Sequence, residues 1–221
     1  RNTIFGYMPT PRAGTFNLER FDFVTSNPEK RFAGADFSAG DPKQNQSVDK
    51  IAPTFFRPSD VTVGPDGAIY FCDWFDPRIG ASAHMDESFS GTIYRIAPRN
   101  FNPVIPEFDL STTEGRITAL RSPAINTRYL GFRALKARGA EAFPAVSYLL
   151  EDRNKWIAAR AVWLLPYLGD EGVKTCVEML EHERAEQRVL AYRALRRAGH
   201  DIVPHARRMS VDPSPQVRRE I

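Results

Sequence analysis

The stretch "RNKWIAARAVWLLPYLGDEGVKTCVEML" (Arg153–Leu180) decides the fold of the second half of this 221-residue chain. Apolar residues recur in its first part at helical intervals and predict one apolar helix face: Ile157, Ala161, Leu164, Leu165 and Leu168. Gly169 follows and is expected to end this helix, because glycine readily adopts the left-handed conformation. A second set at the same intervals predicts a second helix: Val173, Cys176, Val177 and Leu180.

The helix pair recurs on both sides with a period of 30 residues. Three glycines and three leucines occupy equivalent positions: Gly139, Gly169, Gly199, Leu135, Leu165 and Leu195. A fixed period near 30 with helical spacing inside it predicts stacked helical pairs. Units are expected to begin near Ser122, Arg153 and Arg184, and a fourth opens at "DPSPQVRREI" (Asp212–Ile221).

The first half of the chain instead carries short runs of strand-forming residues between turns. In "GPDGA" (Gly64–Ala68), Pro65 fixes φ and Asp66-Gly67 supplies the positive-φ turn that joins antiparallel strands. We expect this turn to be structural. The predicted strands are Asp60–Val63, Ala68–Cys72 and Gly91–Pro98, with an earlier pair at Ile4–Met8 and Phe16–Val24.

These patterns predict a β portion at residues 1–98, a linker at residues 99–121 and a helical portion at residues 122–221. Arg occupies position 1, and the fourth helical unit is cut off. We therefore expect the chain to be a piece of a longer protein, so the lack of a visible signal peptide says nothing about its compartment.

The composition is that of an ordinary globular chain, with 42% hydrophobic and 26% charged residues. No apolar run approaches the roughly 20 residues that span a bilayer. The two cysteines, Cys72 and Cys176, fall in different predicted domains and form no CxxC, CxxCH or zinc-type spacing. Cysteine usage therefore predicts neither a disulfide framework nor a compartment.

Positive charge is concentrated at the end of the chain, although the net charge is only +3. The segment Arg184–Ile221 holds nine arginines and four acidic residues. Such a segment is either a solvated helix face, which we favour, or a surface for nucleic acid or an acidic partner. Tyr192 is the only aromatic residue among these arginines, which disfavours base stacking.

Two family resemblances follow from these motifs. The segment Ser122–Ile221 resembles HEAT repeats in its period, its paired helices and its small residues. The segment "FRPSDVTVGPDGAIYFCDWFDP", followed by "GTIYRIAP", resembles the last blade of a six-bladed β-propeller of the glucose/sorbosone dehydrogenase type. The expected fold class is therefore mixed and multidomain: an antiparallel β-propeller blade followed by an all-α HEAT-like solenoid.

This order of domains resembles multidomain dehydrogenases of the planctomycete, sorbosone type. The resemblance implies a parent enzyme in the periplasm or outside the cell that oxidises a sugar or alcohol. It also implies pyrroloquinoline quinone, calcium and haem c as cofactors of the parent, with a cytochrome domain or another protein as partner. No cofactor motif is identifiable in these 221 residues, and the haem motif CxxCH is absent.

The loop after the Asp-Trp pair departs from the family pattern. Relatives carry several histidines there, whereas only His84 keeps its place and Ala81 and Ser90 replace the other two. His84 with Asp73, Asp86 and nearby acidic residues could still bind a metal ion, since hard cations prefer oxygen donors and a transition metal could use the imidazole. A plain surface loop is the alternative that we favour.

The candidate binding residues lie at the rim of the predicted blade: Arg57, Asp60, Asp73, Trp74 and Asp76. Asp73 could hold a substrate hydroxyl or a cation, and Trp74 could stack on a sugar ring. Structural roles are the alternatives, with Arg57 and Asp60 in an ion pair or turn, Asp73 capping the loop and Trp74 packed between blades. No catalytic set is identifiable.

Three functions remain open from the sequence. The first is a dehydrogenase piece whose helical arm docks a partner. The second is a non-enzymatic module that binds a glycan or a protein. The third, which the sequence supports least, is nucleic-acid binding by the basic helical segment.

Overall fold

The computed structural model describes residues 2–30, 56–74 and 91–221. Its contacts divide the chain into two compact units, one formed by Arg1–Thr10 with Leu18–Pro103, the other by Pro11–Asn17 with Val104–Ile221. The described strands lie mostly in the first unit, although the end of β1 and the start of β2 fall in the second, and the described helices all belong to the second. The fold is mixed, with β structure first and helices second, which confirms the predicted order of secondary structure at this level.

Five described strands form two small sheets. The strands are β1 (Thr3–Arg12), β2 (Thr15–Thr25), β3 (Pro58–Val63), β4 (Ile69–Asp73) and β5 (Thr92–Ile96). β1 pairs with β2 across a two-residue turn, and β3, β4 and β5 form an antiparallel sheet in that order. All five described strands were predicted, with boundaries that differ by at most four residues.

The turn between β3 and β4 has the predicted geometry. Gly67 adopts a φ of 83°, which glycine accepts without steric strain. The Gly67 amide donates to the carbonyl of Gly64, and the Gly64 amide donates to the carbonyl of Ala68, both at 2.9 Å. In this turn the Ala68 amide also donates to Asp66 Oδ1 at 3.0 Å.

The three-stranded sheet has a small aromatic cluster on one face. Phe71 is buried and stacks on Tyr94, its cross-strand partner in β5, with ring centroids 5.0 Å apart. Phe56 meets both rings edge-on. Several other large apolar side chains of the two sheets are exposed: Tyr7, Met8, Phe16, Leu18, Phe21, Phe23, Val61, Val63, Trp74 and Ile93. The described strands therefore bury little of their own apolar surface.

The second unit is a series of short helices. They are α1 (Thr113–Arg121), α2 (Ile125–Arg138), α3 (Phe143–Ser147), α4 (Lys155–Leu164), α5 (Gly169–Glu178), α6 (Ala185–Ala198), α7 (Val203–Met209) and α8 (Pro215–Arg218). Short 3₁₀ turns extend several of them, at Gly139–Ala142, Tyr148–Glu151, Leu165–Tyr167 and Met179–Glu181. No described helix is long and apolar enough to cross a membrane.

The period of 30 residues is visible in the backbone and in the core. Gly139, Gly169 and Gly199 all have positive φ, at 58°, 77° and 84°. The equivalent leucines at 135, 165 and 195 are fully buried, as are the small residues Ala161 and Ala191. Helices α2, α4 and α6 therefore present equivalent faces to the core.

The expected linker at residues 99–121 does not extend as far as predicted. Its last part folds as α1, whose N-terminal cap is Thr112, with the Gly115 amide donating to Thr112 Oγ1 at 3.0 Å. Gly131 of α2 packs so closely on α1 that an added Cβ would lie 2.4 Å from the Leu120 nitrogen. The helical unit thus begins before Ser122, and its first described helix is already packed against the repeat.

Four side chains spaced by 30 residues form the same turn ahead of a helix. Ser122 Oγ, Asp152 Oδ1, His182 Nδ1 and Asp212 Oδ1 each accept a hydrogen bond from the amide two residues later. The donor–acceptor distances are 3.2, 2.8, 3.0 and 2.7 Å. We call these four residues the junction positions, because they lie between the second helix of one unit and the first helix of the next.

Candidate functional site at the end of β4

Three of the predicted rim residues meet where β3 begins and β4 ends. The Arg57 amide donates to Asp73 Oδ1 at 2.6 Å. The Trp74 amide donates to the Arg57 carbonyl at 3.0 Å. The Trp74–Arg57 bond continues the antiparallel pairing of β3 and β4, and the Arg57–Asp73 bond fixes the position of the Asp73 carboxylate. Arg57, Asp73 and Trp74 therefore form one structural group.

The Asp73 carboxylate is half-buried, and this burial changes its pKa. Burial removes water from the charged form and raises the pKa of Asp73 above its ordinary value near 3.8. The hydrogen bond from the Arg57 amide and the charge of Arg57 oppose this rise without cancelling it. A carboxylate of this kind suits hydrogen bonding to a ligand hydroxyl, because water competes less well for it.

Trp74, the residue that follows Asp73 in the chain, supplies an exposed aromatic surface. Its side chain is 64% accessible to solvent, although tryptophan is usually largely buried. An exposed indole offers a flat apolar surface on which a sugar ring can stack. This exposure is compatible with the predicted stacking role.

Asp60 does not join this group. Its Oδ1 accepts from the neighbouring Val61 amide at 2.8 Å. Asp60 pairs with Cys72 across the strands, and successive residues of a strand point to opposite faces, so Asp60 and Asp73 lie on opposite faces of the sheet. Asp60 instead borders a shallow cavity of about 240 Å³ together with Thr3, Ile4, Pro58, Ser59 and Val61.

The remaining predicted ligands, Asp76, His84 and Asp86, lie outside the described residues. Within the described ranges, no three His, Cys, Asp or Glu side chains converge on a common point that could hold a metal ion. The metal hypothesis therefore rests on the sequence alone.

A polar cluster that was not predicted from the sequence lies at the opposite end of the sheet, around the turn between β3 and β4. Asp66 Oδ2 accepts from the Tyr70 hydroxyl at 3.0 Å and from Arg95 Nη2 at 2.9 Å. Burial would raise the pKa of Asp66, but the bonds from Arg95, the Ala68 amide and Tyr70 together lower it below its ordinary value. Asp66 therefore fixes the turn as predicted, and it also ties β5 to that turn.

The basic segment at the end of the chain is largely paired within the helical unit. Arg188 forms two bonds of 2.8 Å to Asp212, through Nε and Nη2. Arg193 pairs with Glu220, and Arg208 with Glu181. Arg218 donates to the carbonyls of Asp212 and Pro213. Arginines occupied in this way are less available to phosphates, which disfavours a nucleic-acid interface here.

Comparison of the chain with protein-family models, with curated proteins and with solved structures finds no match. The family resemblance in the sequence therefore stays a prediction. The site at the end of β4 consists of a fixed, partly desolvated carboxylate, Asp73, followed in the chain by the exposed indole of Trp74.

Proposed function

We propose that this chain supplies blade strands and a helical docking arm to a propeller-type dehydrogenase that oxidises a sugar or alcohol. The observation that carries the proposal is that the Asp73 carboxylate is held by the Arg57 amide at the end of β4 and that the next residue, Trp74, is exposed. In this account Asp73 accepts a hydrogen bond from a substrate hydroxyl while the indole of Trp74 stacks on the substrate ring.

The exposed apolar faces of the sheets support the propeller part of the proposal. Blades of a propeller pack face to face, so each strand needs apolar residues on the surfaces that neighbouring blades cover. Val61 and Ile93 of the three-stranded sheet, and Phe21 and Phe23 of the hairpin, are exposed residues of this kind. Neighbouring blades would cover them in the whole enzyme.

The period of the helical unit supports the docking arm. Equivalent glycines with positive φ and equivalent buried leucines are expected of stacked, HEAT-like helical pairs, which present extended surfaces to partners. The partner implied by the family resemblance is a cytochrome domain or another protein. Location in the periplasm or outside the cell belongs to the same proposal.

The cofactors that the resemblance implies find no donor set in the described part of the chain. Calcium needs a shell of six to eight oxygens, and the described residues bring no three acidic, histidine or cysteine side chains together. Haem c needs a CxxCH motif that the sequence lacks. The role proposed for the described residues is therefore to hold substrate.

The proposal is tested by dye reduction with the full-length protein, reconstituted with pyrroloquinoline quinone and calcium, against a panel of sugars and alcohols. We expect turnover with at least one of them, and a rise in KM of about tenfold for Trp74→Ala, equal to the loss of roughly 1.4 kcal/mol of stacking. Tyr148→Ala is the matched control, because it removes an exposed aromatic side chain from the helical unit. Absence of turnover with every substrate would exclude the dehydrogenase.

A second candidate is a non-enzymatic glycan-binding module, which the same site favours because stacking and one acceptor suffice for binding. Calorimetric titration of the chain with oligosaccharides separates the two. Binding that is weakened by Trp74→Ala, in a full-length protein without turnover, supports the module. Unaltered binding in that variant excludes this site from either role.

Nucleic-acid binding by the helical unit is the weakest candidate, because several of its arginines are paired internally. An electrophoretic shift of a DNA probe at low salt tests it. A shift that disappears as salt rises would support binding through phosphates.

A further inference from the structure

Two arginines from different helices bind the backbone at the end of α1 and in the connection that follows it. Arg160 Nη1, from α4, donates to the Leu120 carbonyl at 2.7 Å and to the Ser122 carbonyl at 2.9 Å. Arg128 Nη1, from α2, donates to the Pro123 carbonyl at 3.1 Å. Because the carbonyls of one short segment hold them, the two guanidinium groups lie close together.

A third arginine, Arg121, belongs to the same segment, and positive charge there exceeds negative charge. Arg121 is ion-paired with Asp152. Among the ion pairs of the described residues, none involves Arg128 or Arg160. The carbonyls at the end of α1 carry partial negative charge, which offsets the excess only in part. We call Arg121, Arg128 and Arg160 the arginine cluster.

The helical repeat does not require a charge at the position of Arg160. The residues thirty positions before and after it are Leu130 and Leu190. Arg160 is half-buried, and this burial, together with the charges of Arg128 and Arg121, lowers its pKa below the ordinary value. An arginine stays charged at any physiological pH, so the lowered pKa reflects repulsion that a bound anion would relieve.

Exposed apolar side chains lie beside the arginine cluster. Trp156 is 66% exposed and precedes Arg160 by four residues on α4, so the two side chains are neighbours on the helix surface. Lys155 Nζ lies 4.9 Å from the centre of the Trp156 ring and adds positive charge. Ile125 is 56% exposed and precedes Arg128 by three residues on α2. Arginine and tryptophan together are the residues that contribute most often to binding energy in protein interfaces.

We propose that the arginine cluster, with Trp156 and Ile125, binds an acidic segment of a protein partner. Among the described hydrogen bonds, Arg128 and Arg160 use only their Nη1 atoms, so each retains nitrogen donors for a carboxylate. An apolar side chain of the segment packs on the indole of Trp156. This inference rests on the docking role proposed above for the helical unit, and it specifies the chemistry of the partner.

The arrangement of the charges favours a protein partner over a nucleic acid. A nucleic acid carries phosphates at regular intervals and is bound by basic residues spread along its path. The arginine cluster instead gathers around one connection and has apolar neighbours. A carboxylate-bearing segment with apolar residues matches both of these properties.

Selection of random twelve-residue peptides on the whole 221-residue chain tests the proposal. We expect the selected peptides to be enriched in Asp and Glu together with apolar residues. The Kd of an enriched peptide should rise at least about tenfold in Arg160→Leu, which introduces the side chain found at the equivalent positions of α2 and α6. Trp156→Ala, at an exposed position, should raise it about threefold to tenfold, and it carries the comparison if Arg160→Leu does not fold.

Arg197→Gln is the matched control, because Arg197 is an exposed arginine of α6 outside the arginine cluster. It should leave the Kd of the peptide within about twofold of the wild-type value. The proposal is overturned if acidic residues are not enriched, or if Arg160→Leu and Trp156→Ala bind the peptide as the wild-type chain does. Displacement of the peptide by a lower concentration of single-stranded DNA would also overturn it, by assigning the arginine cluster to phosphates.

The peptide selection requires no turnover, so it is independent of the dehydrogenase test. A full-length protein without activity would leave the acidic-segment proposal standing. Conversely, failure to select acidic peptides would remove the docking surface and leave the substrate site at Asp73 and Trp74 untouched.

Discussion

The helical unit and the sheets differ in how much of their apolar surface is buried and in how many of their charged side chains have partners. In the helical unit, leucines, alanines and valines are buried in two continuous clusters, and most of the terminal arginines have acidic or carbonyl partners. Among the described strands and the turns that flank them, Ala68 and Phe71 are the buried apolar residues, while Val61, Ile93 and Trp74 are exposed.

The difference suggests a division of roles between the two regions. A region with a closed core can hold its shape alone, whereas strands with apolar residues on their surfaces gain stability from whatever covers those faces. The candidate site belongs to the second kind of region. The stability of the candidate site is therefore expected to depend more on contacts with further parts of the protein than the stability of the helices does.

Truncation of a core leucine should give the largest effect and separate the regions most clearly. Leu165 is fully buried, so Leu165→Ala is expected to lower the free energy of unfolding by about 2–5 kcal/mol through lost burial and a cavity. Val61→Ala, at a position 49% exposed, should cost less than about 1 kcal/mol. Denaturant unfolding followed by circular dichroism measures both, and equal losses would contradict the contrast.

Loss of the Arg188–Asp212 ion pair should give the second-largest loss of stability. Its side chains are only 12% and 10% exposed, so Asp212→Asn is expected to cost about 2–3 kcal/mol at neutral pH by leaving the guanidinium without a counter-charge. The control is Glu141→Gln in the exposed Arg138–Glu141 pair, which should change stability by less than about 0.5 kcal/mol. Chemical denaturation at pH 7 compares the two variants.

The same pair makes an acid-sensitivity prediction. Burial would raise the pKa of Asp212, but the bonds from Arg188 and the Ser214 amide lower it below its ordinary value near 3.8. Stability from this group is therefore present above that value and is lost as the pH falls toward the lower, folded-state pKa. Thermal unfolding between pH 5 and pH 2.5 should show a loss in the wild-type chain that Asp212→Asn reduces.

The pKa values of Asp66 and Asp73 should be shifted in opposite directions, and we expect their effect on stability to be smaller than that of Asp212. The pKa of Asp66 is lowered and that of Asp73 is raised relative to the ordinary value near 3.8. Protonation of Asp73 therefore stabilises the fold as the pH falls through its pKa, and protonation of Asp66 destabilises it. Carboxyl ¹³C shifts followed by NMR from pH 2 to pH 7 resolve the order, and a reversed order would contradict the described environments.

The two cysteines should differ in their rate of reaction with a thiol reagent. Cys176 is buried, which raises the pKa of its thiol to about 12, whereas Cys72 is exposed on β4. A thiol reagent at pH 8 should label one cysteine in the native chain and two after denaturation. Rapid native labelling of Cys176 would show that the helical core opens readily.

Much of this fold was predictable, because short sequence motifs mark the turns and the helical repeat. Turn residues marked the strands, and the glycines at 139, 169 and 199 marked the helical period. Helix α1 was missed because Asp109, not glycine, stands 30 residues before Gly139, and only Ile117 and Leu120 give it clearly apolar positions.

The junction positions and the Asp66 cluster were hidden for different physical reasons. Serine, aspartate and histidine share one role at the junctions, but their side chains look unrelated in sequence. The Asp66 cluster depends on the register that places Arg95 opposite Tyr70. A long connection precedes β5, so local sequence could not fix that register. At the candidate site, the sequence identified Asp73 and Trp74, whereas the opposite orientation of Asp60 required the strand pairing.

Native-state hydrogen exchange on the whole chain at neutral pH tests the central contrast most directly. The account predicts strong protection in α2, α4 and α6, whose inner faces are buried, and exchange at least about 100-fold faster in β3, β4 and β5. Equal protection in the sheet and the helices would contradict the claim that the strands carrying the candidate site depend on further contacts for their stability.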